Sequence, residues 1–108
     1  MALHEEKCEA CTVGTPPLGP DEARDLSAQV PEWTLHEKSL ERTFTFKDFR
    51  GSIAFINRVA DIAEAQGHHP DIFISYNTVK LDLSTHKIGG LSRNDFILAA
   101  KIDELMKE

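Results

Sequence analysis

The sequence lacks the features of several protein classes. It has no apolar run near the ~18 residues that a membrane-spanning helix needs. Its start, MALHEEKCEACTVG, carries acidic residues where a secretory signal has basic and then apolar ones. Lys and Arg number 12 against 18 Asp and Glu, the formal net charge is -6, and the basic residues form no stripe. We therefore expect a cytoplasmic protein that binds neither a membrane nor nucleic acid directly.

Cysteine is scarce as well. Cys8 and Cys11 form a single CxxC, without the second pair that a four-thiolate zinc site needs. They precede the Gly/Pro-rich TPPLGP and do not lie at the strand-to-helix junction of a thioredoxin-like motif. We interpret residues 1–19 as a flexible polar leader with reduced cysteines, with metal binding by this pair and His4 as the alternative. Residues 20–108 have the length of one domain.

The first part of that domain shows one helical and two strand patterns. A short helix begins at Pro20 or Asp21 and ends before Pro31. Residues 33–46 are rich in β-branched and aromatic side chains, which predicts two strands joined around residues 37–39.

A longer helix follows. Its apolar residues recur at steps of four, three, four and three, which is typical of one face of an amphipathic helix: Phe49, Ile53, Ile56, Ala60 and Ala63. Gly67 suits the left-handed position that ends a helix, and Pro70 comes soon after it.

The last third predicts a second hairpin and a final helix. Alternation of apolar and polar residues over 72–76 and 79–83 indicates two strands that turn around Asn77 and Thr78. The SRND sequence at 92–95 resembles a capping box and begins a helix that runs to the C-terminus.

The order of elements is therefore α-β-β-α-β-β-α. Its natural packing is an α+β two-layer domain, with three helices on one face of a four-stranded antiparallel sheet. We expect the aromatic residues of the first half to belong to the core: Trp33, Phe44, Phe46 and Phe49.

Three histidines and a carboxylate are the strongest chemical signal. His68 and His69 leave the long helix, His86 follows the last strand, and Glu64 lies one helical turn before His68. These residues have three interpretations. They are polar residues at element ends, with His68 or His69 favoured by the negative end of the helix dipole, or a zinc site, or groups for metal-free acid-base catalysis. The adjacent pair argues against zinc, because neighbouring side chains diverge and no HxH or HExxH is present.

Asp95 has two possible roles. As the third residue of its helix it is well placed to cap the helix start, and that role is sufficient to explain it. A role in orienting a substrate is the secondary interpretation.

The region 64–103, EAQGHHPDIFISYNTVKLDLSTHKIGGLSRNDFILAAKID, closely resembles the pterin-4a-carbinolamine dehydratases. The shared pattern is an acidic residue four before HHP, a Tyr in a YN turn, a strand ending in THxxxGL and a helix beginning near NDF. The similarity extends back through FTFKDFRGSIAFINRVADIAE and, more weakly, to LSAQVPEW.

The resemblance implies an enzyme. Members of this family form homodimers or homotetramers and dehydrate 4a-hydroxytetrahydropterin to quinonoid dihydropterin, without a metal or an organic cofactor. By motif position the catalytic residues fall on His68, His69, His86 and Glu64. We expect His68 and His86 to exchange the protons, His69 to position the pterin, and Glu64 to orient an imidazole.

The same resemblance suggests further contacts to the pterin. We assign substrate binding to Phe73, Tyr76, Thr85 and Asp95, together with His69. The rival hypothesis is a non-catalytic protein-binding or assembly module, because one fold can serve several functions.

Overall fold

The computed structural model describes residues 2–9 and 14–107. Within them the α-helices are α1 (Pro20–Ser27), α2 (Phe49–Gln66) and α3 (Arg93–Leu105). The strands are β1 (Thr34–Leu35), β2 (Leu40–Thr45), β3 (Asp71–Ser75) and β4 (Thr78–Leu83). The predicted order of elements is confirmed.

The four strands form one antiparallel sheet in the order β1-β2-β4-β3. Every second side chain of β4 is fully buried, as the alternation predicted: Val79, Leu81 and Leu83. In β2, Leu40 lies opposite Leu83 and Phe44 lies opposite Val79, so the same face of both strands enters the core. The buried residues of α3 join this cluster, which gives the predicted two-layer α+β arrangement.

Both ends of α2 are fixed by local hydrogen bonds. The Asp48 carboxylate accepts a hydrogen bond from the Gly51 N–H at 2.8 Å and caps the helix start. Gly67 ends the helix in the left-handed conformation, at φ 64°. The His68 N–H then donates to the Ala63 carbonyl at 3.2 Å, so the histidine pair leaves the helix in a defined direction.

The buried face of α2 agrees with the predicted one only in part, at Ala63 and at the partly buried Ile56. The stripe that enters the core consists of Ser52, Phe55, Val59 and Ala63. The prediction that Phe49 lies in the core is wrong, because its side chain is 50% exposed, and Ile53 is 37% exposed. Two apolar stripes run along this helix, and the single subunit covers only one of them. Trp33 and Phe44 are buried as predicted, and Phe46 packs partly buried against the core.

The turn of the second hairpin is shifted by one residue from its predicted position. It lies at Tyr76 and Asn77, since β4 already begins at Thr78. Tyr76 has φ 52°, an uncommon value for a residue with a Cβ. The Asn77 side-chain amide donates to the Phe46 carbonyl at 3.1 Å, which ties this turn to the end of β2.

Part of the predicted leader contacts the domain. Residues Leu3–Glu5 form a 3-10 helix, and Leu3 is buried in the core with 3% exposure. The Leu18 N–H donates to the Leu91 carbonyl at 2.9 Å. The interpretation of residues 1–19 as a segment outside the packed domain therefore differs from the structure at these positions, because apolar side chains of the leader find partners on the core. Cys11 lies outside the described residues.

In the described part of the chain, every helix is too short or too polar to pass through a bilayer.

The buried stripe of α2 contains one unsatisfied polar atom. Within residues 2–9 and 14–107, the Ser52 hydroxyl is buried and has no hydrogen-bond partner. We expect Ser52→Ala to raise the free energy of unfolding by about 1 kcal/mol, because it removes an unpaired hydroxyl and improves helix propensity. Urea titration of both proteins measures the difference.

Ser27→Ala is the matched control. Ser27 is a partly exposed helix residue, so its substitution reports the propensity effect and the loss of an accessible hydroxyl. A gain for Ser27→Ala as large as that for Ser52→Ala, or a loss of stability in Ser52→Ala, would contradict the assignment of a buried unsatisfied group.

Candidate active site

The carboxylate of Asp95, in the first turn of α3, is fully buried. Its Oδ1 lies 2.6 Å from the Nε2 of His68. Its Oδ2 accepts hydrogen bonds from the Thr85 hydroxyl at 2.9 Å and from the Ser92 N–H at 2.9 Å. One carboxylate thus joins the end of α2, the end of β4 and the start of α3.

These bonds offset the cost of burying the carboxylate. An ionised carboxylate loses its hydration on burial, and the loss is compensated only when hydrogen-bond donors surround it. Asp95 has three such donors, and the amino end of α3 adds a favourable dipole. An ionised carboxylate can only accept, so we assign the proton in this contact to the Nε2 of His68. When the imidazole is neutral, this assignment leaves the lone pair on Nδ1, on the side of the ring away from Asp95.

Asp95 fills the capping role that the sequence predicted, while its role in orienting a substrate stays a prediction. Its Oδ2 caps the helix, while its Oδ1 is free for His68. Sequence reasoning did not identify Ser92 as part of this network, although its hydroxyl lies 2.7 Å from that of Thr85. The capping pattern SRND marked Ser92 as a helix start only, and the contact to Thr85 depends on how the two segments pack.

The second carboxylate belongs to the second imidazole. Glu64 Oε2 lies 2.6 Å from the Nε2 of His69, and the two side chains are 77% and 60% exposed. Glu64 therefore pairs with His69, whereas His68 takes its partner from α3. Because the Glu64 pair is open to water, it contributes far less to stability than the buried pair.

His86 is linked to this network by its position in the sequence. It follows Thr85 directly and begins a 3-10 helix, His86–Ile88, which ends at Gly89 with φ 71°. Its exposed imidazole lines a cleft of about 390 Å³ with Asp71, Asp82 and Ser84 among the other walls. Within the described ranges no hydrogen bond joins this imidazole to another side chain. It is accessible to a ligand in the cleft.

The hairpin brings the histidines to the same end of the sheet. Asp71, two residues after His69, lies opposite Asp82, four residues before His86. The strand register places these two chain segments at one end of the sheet, and Asp95 contacts both His68 and Thr85. A single site that contains all three imidazoles stays a prediction.

Two predicted substrate contacts lie elsewhere on the hairpin. Phe73 is 56% exposed in the middle of β3, with the Lys80 ammonium 5.3 Å from its ring centroid. Tyr76 lies at the opposite end of β3 from Asp71, about 16 Å along the strand at ~3.3 Å per residue. Within one subunit neither side chain joins the histidine group, and their substrate contacts stay predictions.

No group of three His, Cys, Asp or Glu side chains in residues 2–9 and 14–107 is arranged to hold a metal ion. The pairs described above each contain one imidazole and one carboxylate.

Comparisons with known proteins give one consistent set of names. Residues 16–105 match the family model described as "Pterin 4 alpha carbinolamine dehydratase". A protein from Alkaliphilus metalliredigens is 44% identical over 108 residues, which cover 98% of this chain and 97% of that protein. One from Marinobacter nauticus is 46% identical over 107 residues, which cover 95% and 96%. Both are named "Putative pterin-4-alpha-carbinolamine dehydratase".

A solved structure shares the fold. The crystal structure of a "transcriptional coactivator/pterin dehydratase" from Brucella melitensis superposes with a TM-score of 0.78 at 30% identity. The match covers 82% of this chain and 97% of that one.

The two carboxylate–imidazole pairs predict different responses to neutralisation. Asp95→Asn places an amide beside His68, and we expect the proton to move from Nε2 toward Nδ1 because the ring loses its anionic acceptor. Two-bond ¹H–¹⁵N spectra of the imidazole measure this change. We also expect the free energy of unfolding to fall by about 1–3 kcal/mol, because a buried hydrogen-bond network is disturbed.

Glu64→Gln is the matched control, since it makes the same chemical change at the exposed pair. It should alter only the His69 resonances and should change stability by less than about 1 kcal/mol. Equal effects of the two substitutions would refute the distinction between a buried and an exposed pair.

Proposed function

The chain belongs to the pterin 4 alpha carbinolamine dehydratase family, and we propose that it dehydrates 4a-hydroxytetrahydropterin to quinonoid dihydropterin and water. The reaction is that of a hydro-lyase and serves the recycling of the pterin cofactor in the cytoplasm. The observation that carries the proposal is the 2.6 Å contact of His68 with the buried carboxylate of Asp95. The same carboxylate accepts a hydrogen bond from Thr85, the residue directly before His86.

The reaction requires two proton transfers. The bond between the 4a carbon and the hydroxyl oxygen breaks, and the oxygen leaves as water after it gains a proton. The neighbouring ring nitrogen loses its proton, and its electron pair forms the new carbon–nitrogen double bond. One acid and one base near neutrality are sufficient for this chemistry, and imidazoles meet that need.

We assign the base to His68 and the acid to His86. Since Asp95 accepts from the Nε2–H of His68, the Nδ1 of that ring has the lone pair that can take the proton of the ring nitrogen. His86 lies exposed in its cleft, which supports its assignment as the group that protonates the leaving hydroxyl. Proton exchange between these two residues and water restores the starting state.

The remaining residues bind and orient. His69, held by Glu64 at the open edge of the site, positions the pterin. Thr85 and Asp95 orient the two imidazoles, because their mutual hydrogen bond joins the segment that carries His86 to the partner of His68. The proposal uses no metal ion and no organic cofactor.

A homo-oligomer, either a dimer or a tetramer, is the second part of the proposal. All five residues of β3 are exposed at the sheet edge, and Ile72, Phe73 and Ile74 place apolar surface there. Exposed apolar edge strands are templates for pairing with another chain. The uncovered stripe of α2, with Phe49 and Ile53, offers a separate apolar patch. Two such surfaces are compatible with a dimer that pairs further into a tetramer.

A non-catalytic role is the second candidate function, because the related Brucella protein is named a transcriptional coactivator as well as a pterin dehydratase. In that case the fold would serve as a protein-binding module and the histidine network would not act on pterin. The activity assay distinguishes the two candidates.

We expect the metal-stripped protein to accelerate the loss of carbinolamine absorbance. His68→Ala and His86→Ala should each lower the rate by about 10²- to 10⁴-fold, the range for acid-base groups. His4→Ala is the control, because His4 pairs with Glu104 at the other end of α3. Unchanged rates in both site variants would refute the assignment of roles, and activity that requires added zinc would replace it with metal catalysis.

Light scattering after gel filtration tests the oligomer. The wild type should have two or four times the mass of the chain. Ile53→Asp and Phe73→Asp should each lower the mass, because a charge in an apolar interface is left without a partner. Thr43→Asp, an exposed position on β2, is the control. A monomeric wild type would refute this part of the proposal.

A further inference from the structure

The N-terminal segment crosses the two helix ends that carry the buried pair. We call residues Glu6–Glu9 the N-terminal strap. The Cys8 N–H donates to the Gln66 Oε1 at 2.9 Å, and the Glu9 N–H donates to the Asn94 Oδ1 at 2.9 Å. The Asn94 side-chain amide returns a hydrogen bond to the Glu9 carbonyl. Two consecutive backbone amides therefore link the end of α2 to the start of α3.

The two residues that the strap holds are close neighbours of the site. Gln66 is the last residue of α2, two residues before His68. Asn94, which is buried, directly precedes Asp95. The strap therefore helps to set the distance between the backbone at His68 and the backbone at Asp95, whose side chains lie 2.6 Å apart.

The strap has anchors of its own. The Arg93 guanidinium donates to both oxygens of Glu6, at 2.8 and 2.7 Å, and this arrangement lowers the pKa of the Glu6 carboxyl. Leu3 is buried in the core shortly before the strap. The segment is thus fixed to α3 independently of Gln66, and can serve as a support for the end of α2.

The geometry points to a function for this segment in catalysis. We propose that the N-terminal strap is a positioning element, and that Gln66 and Asn94 are positioning residues which hold His68 against Asp95. This inference rests on the proposed function. A hydrogen bond weakens steeply with distance and angle. An imidazole displaced by 1 Å can lose about 100-fold in rate, although the displacing change lies outside the reacting groups.

Gln66→Ala removes the acceptor that holds the strap to α2. We expect kcat to fall by about 10-fold with little change in KM, because one of several supports is lost and the substrate contacts stay. Gln66→Glu keeps an acceptor oxygen for the Cys8 N–H and should restore most of kcat. In two-bond ¹H–¹⁵N spectra, Gln66→Ala should reduce the fraction of His68 protonated at Nε2, and Gln66→Glu should not.

Lys101→Ala is the matched control. It breaks the bond from Lys101, six residues beyond Asp95 along the helix, to the His4 carbonyl, which lies outside the strap, and it leaves the Arg93–Glu6 pair in place. Both kcat and the His68 spectrum should match those of the wild type. Thermal melts of all three variants show how much stability each substitution costs.

Two results would overturn the proposal. One is a Gln66→Ala protein whose kcat and His68 spectrum are both unchanged. The other is a Lys101→Ala protein in which kcat and the fraction of His68 protonated at Nε2 fall as much as in Gln66→Ala. The segment would then act through the general stability of the protein. If the wild type has no dehydratase activity, the proposed function has failed, but the spectra still test the positioning role. A lower fraction of His68 protonated at Nε2 in Gln66→Ala, with the wild-type fraction in Gln66→Glu, supports that role.

Discussion

The buried carboxylate of Asp95 accepts hydrogen bonds from three parts of the chain. It caps α3, receives the Thr85 hydroxyl from the end of β4, and holds the imidazole of His68 beyond the end of α2. A carboxylate without these partners would be too costly to bury. The same hydrogen bonds therefore stabilise the fold at this point and fix the orientation of the His68 imidazole, the candidate base. A substitution at Asp95 cannot remove one effect without the other.

The two sets of contacts of Asp95 also show the limit of prediction from the sequence. The spacing from Ser92 to Asp95 predicted a helix cap, and the cap is present. A cap uses one carboxylate oxygen, and nothing in the local sequence says what the other oxygen contacts. That contact depends on α2 packing beside α3. For the same reason Glu64 could be placed near the histidine pair from its position on the helix, while its choice of His69 over His68 required the structure.

Helix α2 gives a second example. Periodicity predicted its length, its end at Gly67 and an apolar face, but the helix carries two apolar stripes. The predicted stripe includes Phe49 and Ile53, which stay exposed in the subunit, whereas Phe55 and Val59 fill the core. A period of 3.6 identifies apolar faces without saying which one the same subunit covers. Burial against a second copy and burial in the core leave the same pattern in a sequence.

The N-terminal strap has a consequence for the order in which the molecule is completed. Glu9 and Asn94 are 85 residues apart along the chain, and Cys8 and Gln66 are 58 apart. Contacts of such long range close large loops and form late in folding, after local helices and hairpins. During synthesis the strap is made before its partners on α2 and α3. A growing chain can therefore form α2 and both hairpins before Asp95 has been made. The pair of His68 and Asp95 comes together only once α3 is present, so a chain interrupted before α3 carries the histidines without the carboxylate that orders them.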